Sequence, residues 1–336
     1  MSGPEDESGP VDEFDWIARG LRPLARNAPE ALDLTDDAAV IPSRPGFDLV
    51  VSKDAMVEGV HFLPGDPLDL VARKLLRTNL SDLAAKGAEP YGYFLAVAWP
   101  ARCGWPRRLA FAEGLRIDQD EFGLRLFGGD TVSTPGPLTA SVTILGWVPQ
   151  GRMIRRSGAK AGDVVLVTGA IGDGWLGLAA AKGHAAGLDD AADAWLADRY
   201  RLPQPRVGLG DAMRRCAHAA ADVSDGLIAD AGRIALASGV GLEIDLDLVP
   251  LSKAGSAWLS MQPDLSAARA LLASGGDDYE IVCTAPRKAA AELKAAAAAL
   301  GYAMTEVGAV TAGAGVRVQS GGREIEVADG GWRHGG

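Results

Sequence analysis

Cysteine is scarce in this chain of 336 residues: Cys103, Cys216 and Cys283 stand far apart with no C-x-x-C pair, which argues against a zinc cluster or a disulfide framework. Basic charge is also short. Lys and Arg number 33 against 44 Asp and Glu, a formal net charge of −11, so a general nucleic-acid surface is not expected. No run of about 18 uncharged apolar residues offers a membrane span, and the opening MSGPEDESGPVDEFDW lacks the basic and apolar regions of a signal peptide. With odd, unpaired cysteines this predicts a soluble cytoplasmic protein without a membrane partner. What is present is globular in kind: 48% hydrophobic and 23% charged residues, in a length that predicts two domains.

Residues 1–12, rich in Gly, Pro, Ser, Asp and Glu, are expected to form a disordered tail. The Gly/Lys/Arg-rich connector GRMIRRSGAKAGD marks the best boundary, giving an N-terminal domain over 13–150 and a C-terminal domain over 151–336. The first half predicts strands at FDLVVSKDAMV, FLAVAWP, LRLFGGDTV and LTASVTILGWV, with helices over DPLDLVARKLLRTNLSDLAAKG and PRRLAFAEGLRIDQDEFG. The second predicts strands at VVLVTG, GLEIDLDLV, YEIVCTA, VGAV and VRVQ, alternating with helices at DAMRRCAHAA, SDGLIADAGRIALASG and PRKAAAELKAAAAALG. Each half therefore reads as α+β or mixed α/β.

The usual nucleotide signatures are missing. There is no G-x-x-x-x-G-K-[ST], and TGAIGDGWLG has the wrong glycine spacing for a dinucleotide loop, so a tight turn into a helix is the better reading. Six short acidic islands stand instead at element junctions: TDDAAV, SKDAMVEGVHF, NLSDLAAKG, FGGDTV, ADVSDGL and SGGDDYEI. Singly, each reads as Asp or Ser capping a helix. As a set they read equally as carboxylates for a hard cation such as Mg²⁺, which takes oxygen ligands and bridges protein to phosphate. Alone, His61 would be a core histidine, Arg156 a solvated connector charge and Trp332 a packing residue.

In order and wording the islands resemble the thiamine-monophosphate kinase family, within a superfamily that also holds aminoimidazole ribonucleotide synthetase, selenophosphate synthetase and a hydrogenase-maturation protein. VEGVHF, NLSDLAAKGAEP, GGDT, RSGAKAGD with VTGAIGD, DVSDGL and SGGDDYE carry the match from about residue 13 to Trp332. The resemblance implies a two-domain α+β fold of the aminoimidazole ribonucleotide synthetase type. In that fold the N-terminal domain pairs with its twin in a homodimer, and the site lies between the two domains. It implies several Mg²⁺ ions on Asp37, Ser52, Asp54, Asp82, Asp130, Asp222 and Asp225, with Lys53 serving through its backbone carbonyl. ATP would be held by Gly129, Asp130, Arg156 and Ser224, with Asp130, Asp222 and Arg156 catalytic. Thiamine monophosphate would be lined by His61, Asp277 and Trp332. K⁺ is a further candidate cation.

The chain departs from the family pattern in places. Ser52-Lys53-Asp54 replaces Ser/Thr-Thr-Asp, Gly275-Gly276-Asp277-Asp278-Tyr279-Glu280 has Asp where the family has its first Glu, and GGDTVSTPGPL is longer and lacks an arginine. The function implied is in-line phosphoryl transfer from ATP to thiamine monophosphate. Alternatives are another ATP-using activity of the superfamily, or a nucleotide- and metal-binding module without catalysis. Asp230, one turn beyond Asp225, is read as structural.

Overall fold

The structure is a computed structural model that describes residues 11–184, 187–327 and 331. It divides into two compact units, one running up to Leu83 with Glu89–Gly151, the other comprising Ala84–Ala88 and the chain from Arg152.

The first unit is a four-stranded sheet of β1 (Phe47–Val57), β2 (Glu89–Pro100), β3 (Leu126–Thr134) and β4 (Thr139–Pro149), in the order β1-β4-β2-β3. Helices α1 (Leu68–Ala85) and α2 (Trp105–Phe122) make the crossovers, which is why β2 and β3 are parallel while β4 runs antiparallel to both its neighbours. Pro106 in the first turn and left-handed Gly123 at the C-terminus bound α2 as the sequence signals. Alternate residues Tyr93, Leu95, Val97 and Trp99 of β2 are buried, and Trp99 meets Phe111 of α2 edge-on at 5.4 Å. Arg77 of α1, almost fully buried, grips Asp118 of α2 through Nε and Nη2 at 2.7 and 3.0 Å. This bidentate pair fixes the two helices against each other.

The second unit is a seven-stranded mixed sheet built from β5 (Asp163–Thr168), β6 (Ala219–Val223), β7 (Gly241–Asp245), β8 (Glu280–Pro286), β9 (Met304–Thr311), β10 (Gly315–Ser320) and β11 (Arg323–Ile325). Their spatial order is β11-β10-β7-β9-β5-β8-β6. Its helices are α3 (Asp173–Ala181), α4 (Asp190–Arg201), α5 (Gly210–Cys216), α6 (Leu227–Ser238), α7 (Lys253–Ser260), α8 (Leu265–Ser274) and α9 (Ala290–Ala299). Val165 and Val167 face a core shared with Leu227, Ala231 and Ile234 of α6, while Val164 and Leu166 face Met213 of α5 and Leu293 of α9. A strand covered on both faces is buried along its length, as β5 is, with the apolar run Val164–Val167 set between Asp163 and Thr168.

Three local readings change. The helix expected over DAMRRCAHAA ends at Cys216, and Ala219–Val223 is a strand, because its alanines fit a sheet packed on both faces although they carry no β-branched signal. The strand expected over GLEIDLDLV stops at Asp245. The expected tail falls mostly outside the described residues, but Asp12 caps a helical turn, accepting from Phe14 and Asp15 N–H at 2.9 and 3.3 Å. Among the described residues no helix is long and apolar enough to cross a membrane.

Candidate functional site

In the first unit, period-two alternation along β1 separates the Ser52-Lys53-Asp54 triplet. Ser52 Oγ donates to Asp82 Oδ2 of α1 at 2.5 Å, and Asp54 N–H donates to the fully buried Asn79 Oδ1 at 3.1 Å. Lys53 points to the other face, where Nζ donates to Ser141 Oγ at 3.0 Å and Thr143 Oγ1 at 3.4 Å of β4. Its ammonium is thus directed away from the Ser52–Asp82 pair. Asn79, which the sequence reading did not single out, is the residue that holds Asp54 in place; its signal was its position one turn before Asp82 in NLSD.

Asp37, Gly129 and Asp130 line one cavity of about 280 Å³ floored by Phe94 and Phe127. Among the described residues four carboxylates line it, those of Glu13, Asp36, Asp37 and Asp130, with no Lys, Arg or His. A Cβ at Gly129 would lie 1.7 Å from Leu95 O, so only glycine lets β3 run this close to β2. Asp130 is exposed, and no described side chain donates to its carboxylate.

His61 closes the turn after β1. Val57 N–H donates to its Nδ1 at 3.0 Å, so Nδ1 is unprotonated and the proton of the neutral ring sits on Nε2. Buried Lys74 donates to His61 O at 3.1 Å, fixing the loop from beneath.

In the second unit two islands and the TGAIGDG turn interlock. Asp277 N–H donates to Ser224 O at 2.9 Å and Tyr279 N–H to Val223 O at 2.8 Å. Asp278, 1% exposed, accepts from Gly172 and Gly174 N–H at 2.8 and 2.9 Å, which ties the turn before α3 to the same place. A Cβ at Gly174 would meet Asp277 O at 2.4 Å. Burial pushes the Asp278 carboxyl well above the usual carboxylate range, against the pull of the two N–H groups. Asp277 and Tyr279 both hold left-handed backbone, φ 67° and 53°, uncommon for residues with side chains, and Tyr279 Oη donates to Asp277 Oδ1 at 3.0 Å. TGAIGDG is thus a turn into α3 anchored by Asp278.

Asp222 is buried at the end of β6; Ser224 and Asp225 follow it into α6, half-buried. Gly331 passes beside them, since a Cβ there would lie 2.5 Å from Asp225 O. Trp332 itself lies outside the described residues. Arg156 is not brought to Ser224: its carbonyl accepts from Ser238 Oγ at 3.2 Å, at the opposite end of α6. Twelve residues of helix, about 18 Å, separate the two ends.

Among the described residues no three His, Cys, Asp or Glu side chains converge on a point suited to a metal ion. The donor sets that are present, Ser52 with Asp82 and Asp37 with Asp130, are hard oxygens. They fit Mg²⁺, which takes one or two carboxylates and completes its shell with water and substrate phosphate. A cavity whose charged lining residues are all acids holds a polyanion when cations lie between them.

Comparison with known proteins follows the same outline. The family models for AIR synthase related protein, N-terminal domain and C-terminal domain, match residues 35–148 and 160–321. A thiamine-monophosphate kinase of Caulobacter vibrioides is 56% identical over 328 residues, covering 98% of this chain and 92% of that protein. Among solved structures, a thiamine-monophosphate kinase of Stenotrophomonas maltophilia superposes with a TM-score of 0.80 at 36% identity, over 93% of this chain and 98% of that one. AaThiL complexed with AMPPCP and TMP gives 0.76 at 27% identity, over 96% of both chains. The two-domain α+β architecture of the aminoimidazole ribonucleotide synthetase type is therefore shown.

Proposed function

The chain belongs to the thiamine-monophosphate kinase family, and on that premise we propose that it transfers the γ-phosphoryl group of ATP directly to the phosphate of thiamine monophosphate, forming thiamine diphosphate and ADP. The observation that carries this reading is the cavity whose lining brings together Asp37, Asp130, Phe94 and Phe127. Its apolar wall suits a nucleobase, and its carboxylates suit cation-bridged phosphates.

The chemistry asks little of the protein in bond making. The acceptor phosphate has a second pKa of about 6 and is mostly ionised at neutral pH, so no general base is needed. Two unit charges 4 Å apart repel by about 4 kcal/mol at an effective dielectric of 20, and that repulsion is what the site must offset. Mg²⁺, when bound, supplies the neutralising charge and orients phosphate oxygens. Asp37, Asp54, Asp82, Asp130, Asp222 and Asp225 hold cations, with the Ser52 hydroxyl beside Asp82. Gly129 lets the phosphates approach backbone, Arg156 and Ser224 contact nucleotide, and the thiamine substrate is the ligand of His61, through Nε2–H, and of Asp277 and Trp332.

The test is a direct assay of purified protein with ATP, Mg²⁺ and thiamine monophosphate, run with and without K⁺. ADP and thiamine diphosphate should form in equal amounts, and inversion at a chiral γ-phosphate should report a single in-line transfer. ATP hydrolysis without thiamine diphosphate, or binding without turnover, overturns the reading.

Asparagine at position 61 places an acceptor where His61 Nδ1 sits but removes the Nε2 donor. His61→Asn should therefore keep the contact with Val57 N–H while raising KM for thiamine monophosphate about tenfold, the worth of one hydrogen bond to a charged group. His61→Gln, which offers no acceptor at the Nδ1 position, should lose stability instead; equal KM in wild type and His61→Asn would remove His61 from substrate binding.

The homodimer has its own support. Leu49, Val51 and Val132 are 37%, 55% and 51% exposed on strands of the first sheet, and a sheet with exposed apolar residues is a surface suited to a second copy. Light scattering should find a dimer, and Val51→Lys should shift it to monomer; a monomeric wild type rejects the assignment.

A further inference from the structure

Asp230 has so far only a structural reading, yet its carboxylate accepts three hydrogen bonds. It lies one turn into α6 and is fully buried. Its Oδ2 accepts from the N–H groups of both Ser224 and Asp225, each at 3.0 Å. Its Oδ1 accepts from Arg233 Nη1, and the other arm of the same guanidinium, Nη2, donates to Asp225 Oδ2. Helix α6 has glycine at its N-cap and no side chain capping it from outside. Asp230 meets the need from within, folding back to satisfy donors just ahead of the first turn. The Ser224–Asp225 backbone is therefore clamped by one carboxylate, and the Asp225 side chain by one guanidinium.

We propose that Asp230 and Arg233 are positioning residues that set how strongly Asp225 holds a divalent cation: Asp230 fixes the loop, and Arg233 competes with the cation for Asp225 Oδ2. The inference rests on the reading of Asp225 as a cation ligand. A carboxylate oxygen that faces a guanidinium N–H does not offer the same lone pair to a metal, and the two positive charges repel, so cation entry and release of Nη2 form a single exchange. Arg233 is suited to it. Its side chain is 37% exposed while that of Asp230 is 1% exposed, so when Nη2 lets go the arginine stays tethered through Nη1 to the buried acid and has solvent to turn into. Gly331 lies close to the Asp225 carbonyl, so backbone also packs against this loop. The three charged groups sum to −1 with the arginine docked, and the exchange leaves Asp225 free to pair with the cation while Asp230 keeps its counterion.

The experiment uses the full chain and Mn²⁺ alone, with free Mn²⁺ followed by electron paramagnetic resonance and folding followed by thermal melting. Arg233→Met should tighten one class of Mn²⁺ sites by roughly two- to fivefold, the range that a partly exposed ion pair commands. Arg233→Lys, which keeps a cation within reach, should return affinity toward wild type. Asp230→Asn should weaken the same class, because an amide in place of one acceptor oxygen loosens the loop or turns a donor toward Arg233. Asp225→Asn should abolish the class. If Asp225→Asn binds Mn²⁺ as wild type does, the ligand reading is wrong. If Asp225→Asn loses the class while Arg233→Met binds no more tightly than wild type, the exchange is wrong. Should Asp230→Asn not fold, the arginine variants decide the matter alone.

Discussion

Asp130→Asn should reduce kcat by about 10³-fold, on the scale of removing one preorganised charge-stabilising group from a transition state. The same variant should melt within about 2 °C of wild type, because an exposed surface position away from structural contacts changes stability little. That pairing of effects is what makes the prediction sharp. Asp130 sits on β3 with its carboxylate in the acid-lined cavity, and no described side chain donates to it. Replacing it by asparagine removes one negative charge and half of its acceptor capacity, which weakens cation binding without leaving a buried partner unpaired. The measurement is turnover at saturating ATP and thiamine monophosphate together with a thermal melt. A residual rate within tenfold of wild type takes Asp130 off the list of cation ligands, and a large fall in melting temperature reassigns it to structure.

The neighbouring Gly129 explains why FGGDTV was legible as an island. A position where a Cβ would lie 1.7 Å from a carbonyl oxygen must be glycine, and the acid next to it then stands on a strand that cannot shift. Sequence alone also carried the alternation in Ser52-Lys53-Asp54, whose outcome is a lysine bonded to Ser141 and Thr143 on one face and a Ser52–Asp82 pair on the other. Period-two geometry decides this once the segment is known to be a strand.

Other features could not be read, for physical reasons. β6 was missed because AAADV derives its strand conformation from neighbours on both faces, Val165 and Leu227 on one side and Leu166 and Met213 on the other, and tertiary packing overrides local preference. Motifs carry order along the chain and not distance, so the spelling of RSGAKAGD and DVSDGL did not tell that the Arg156 backbone and Ser224 stand at opposite ends of α6. Asp230 looked structural because the acceptors and donors around it come from its own loop and helix, a pattern that spacing does not distinguish from ordinary capping.

SGGDDYE holds the most misleading letters, since only Asp277 stood out as functional while Asp278 and Glu280 do the anchoring. Glu280→Gln should destabilise the second unit by about 3–5 kcal/mol, the cost of breaking a buried ion pair from one side. At 2–4 °C per kcal/mol for a unit of this size, the melting temperature should fall by roughly 6–20 °C. Glu280 is fully buried at the start of β8 and accepts from Arg206 through Nε at 2.6 Å and through Nη2, and from Thr168 Oγ1 at 2.6 Å, with Arg199 Nη2 at 3.7 Å. Thr168 Oγ1 in turn accepts from Ile281 N–H at 2.8 Å, so the carboxylate organises both β5 and β8. A glutamine offers one acceptor oxygen in place of two and turns an amide donor toward a pocket whose arginine N–H groups only donate. The left-handed backbone at Asp277 and Tyr279 lies immediately upstream, and such conformations persist only where surrounding contacts over-determine them. The variant should therefore raise KM for thiamine monophosphate as well, through Asp277. Replacing the pair together, as Arg206→Met with Glu280→Leu, should recover part of the lost stability, because an apolar pair leaves no uncompensated charge. Chemical denaturation of the three proteins decides it: a change under about 1 kcal/mol for Glu280→Gln, or no recovery in the double variant, would show that β5 and β8 are held by the sheet alone.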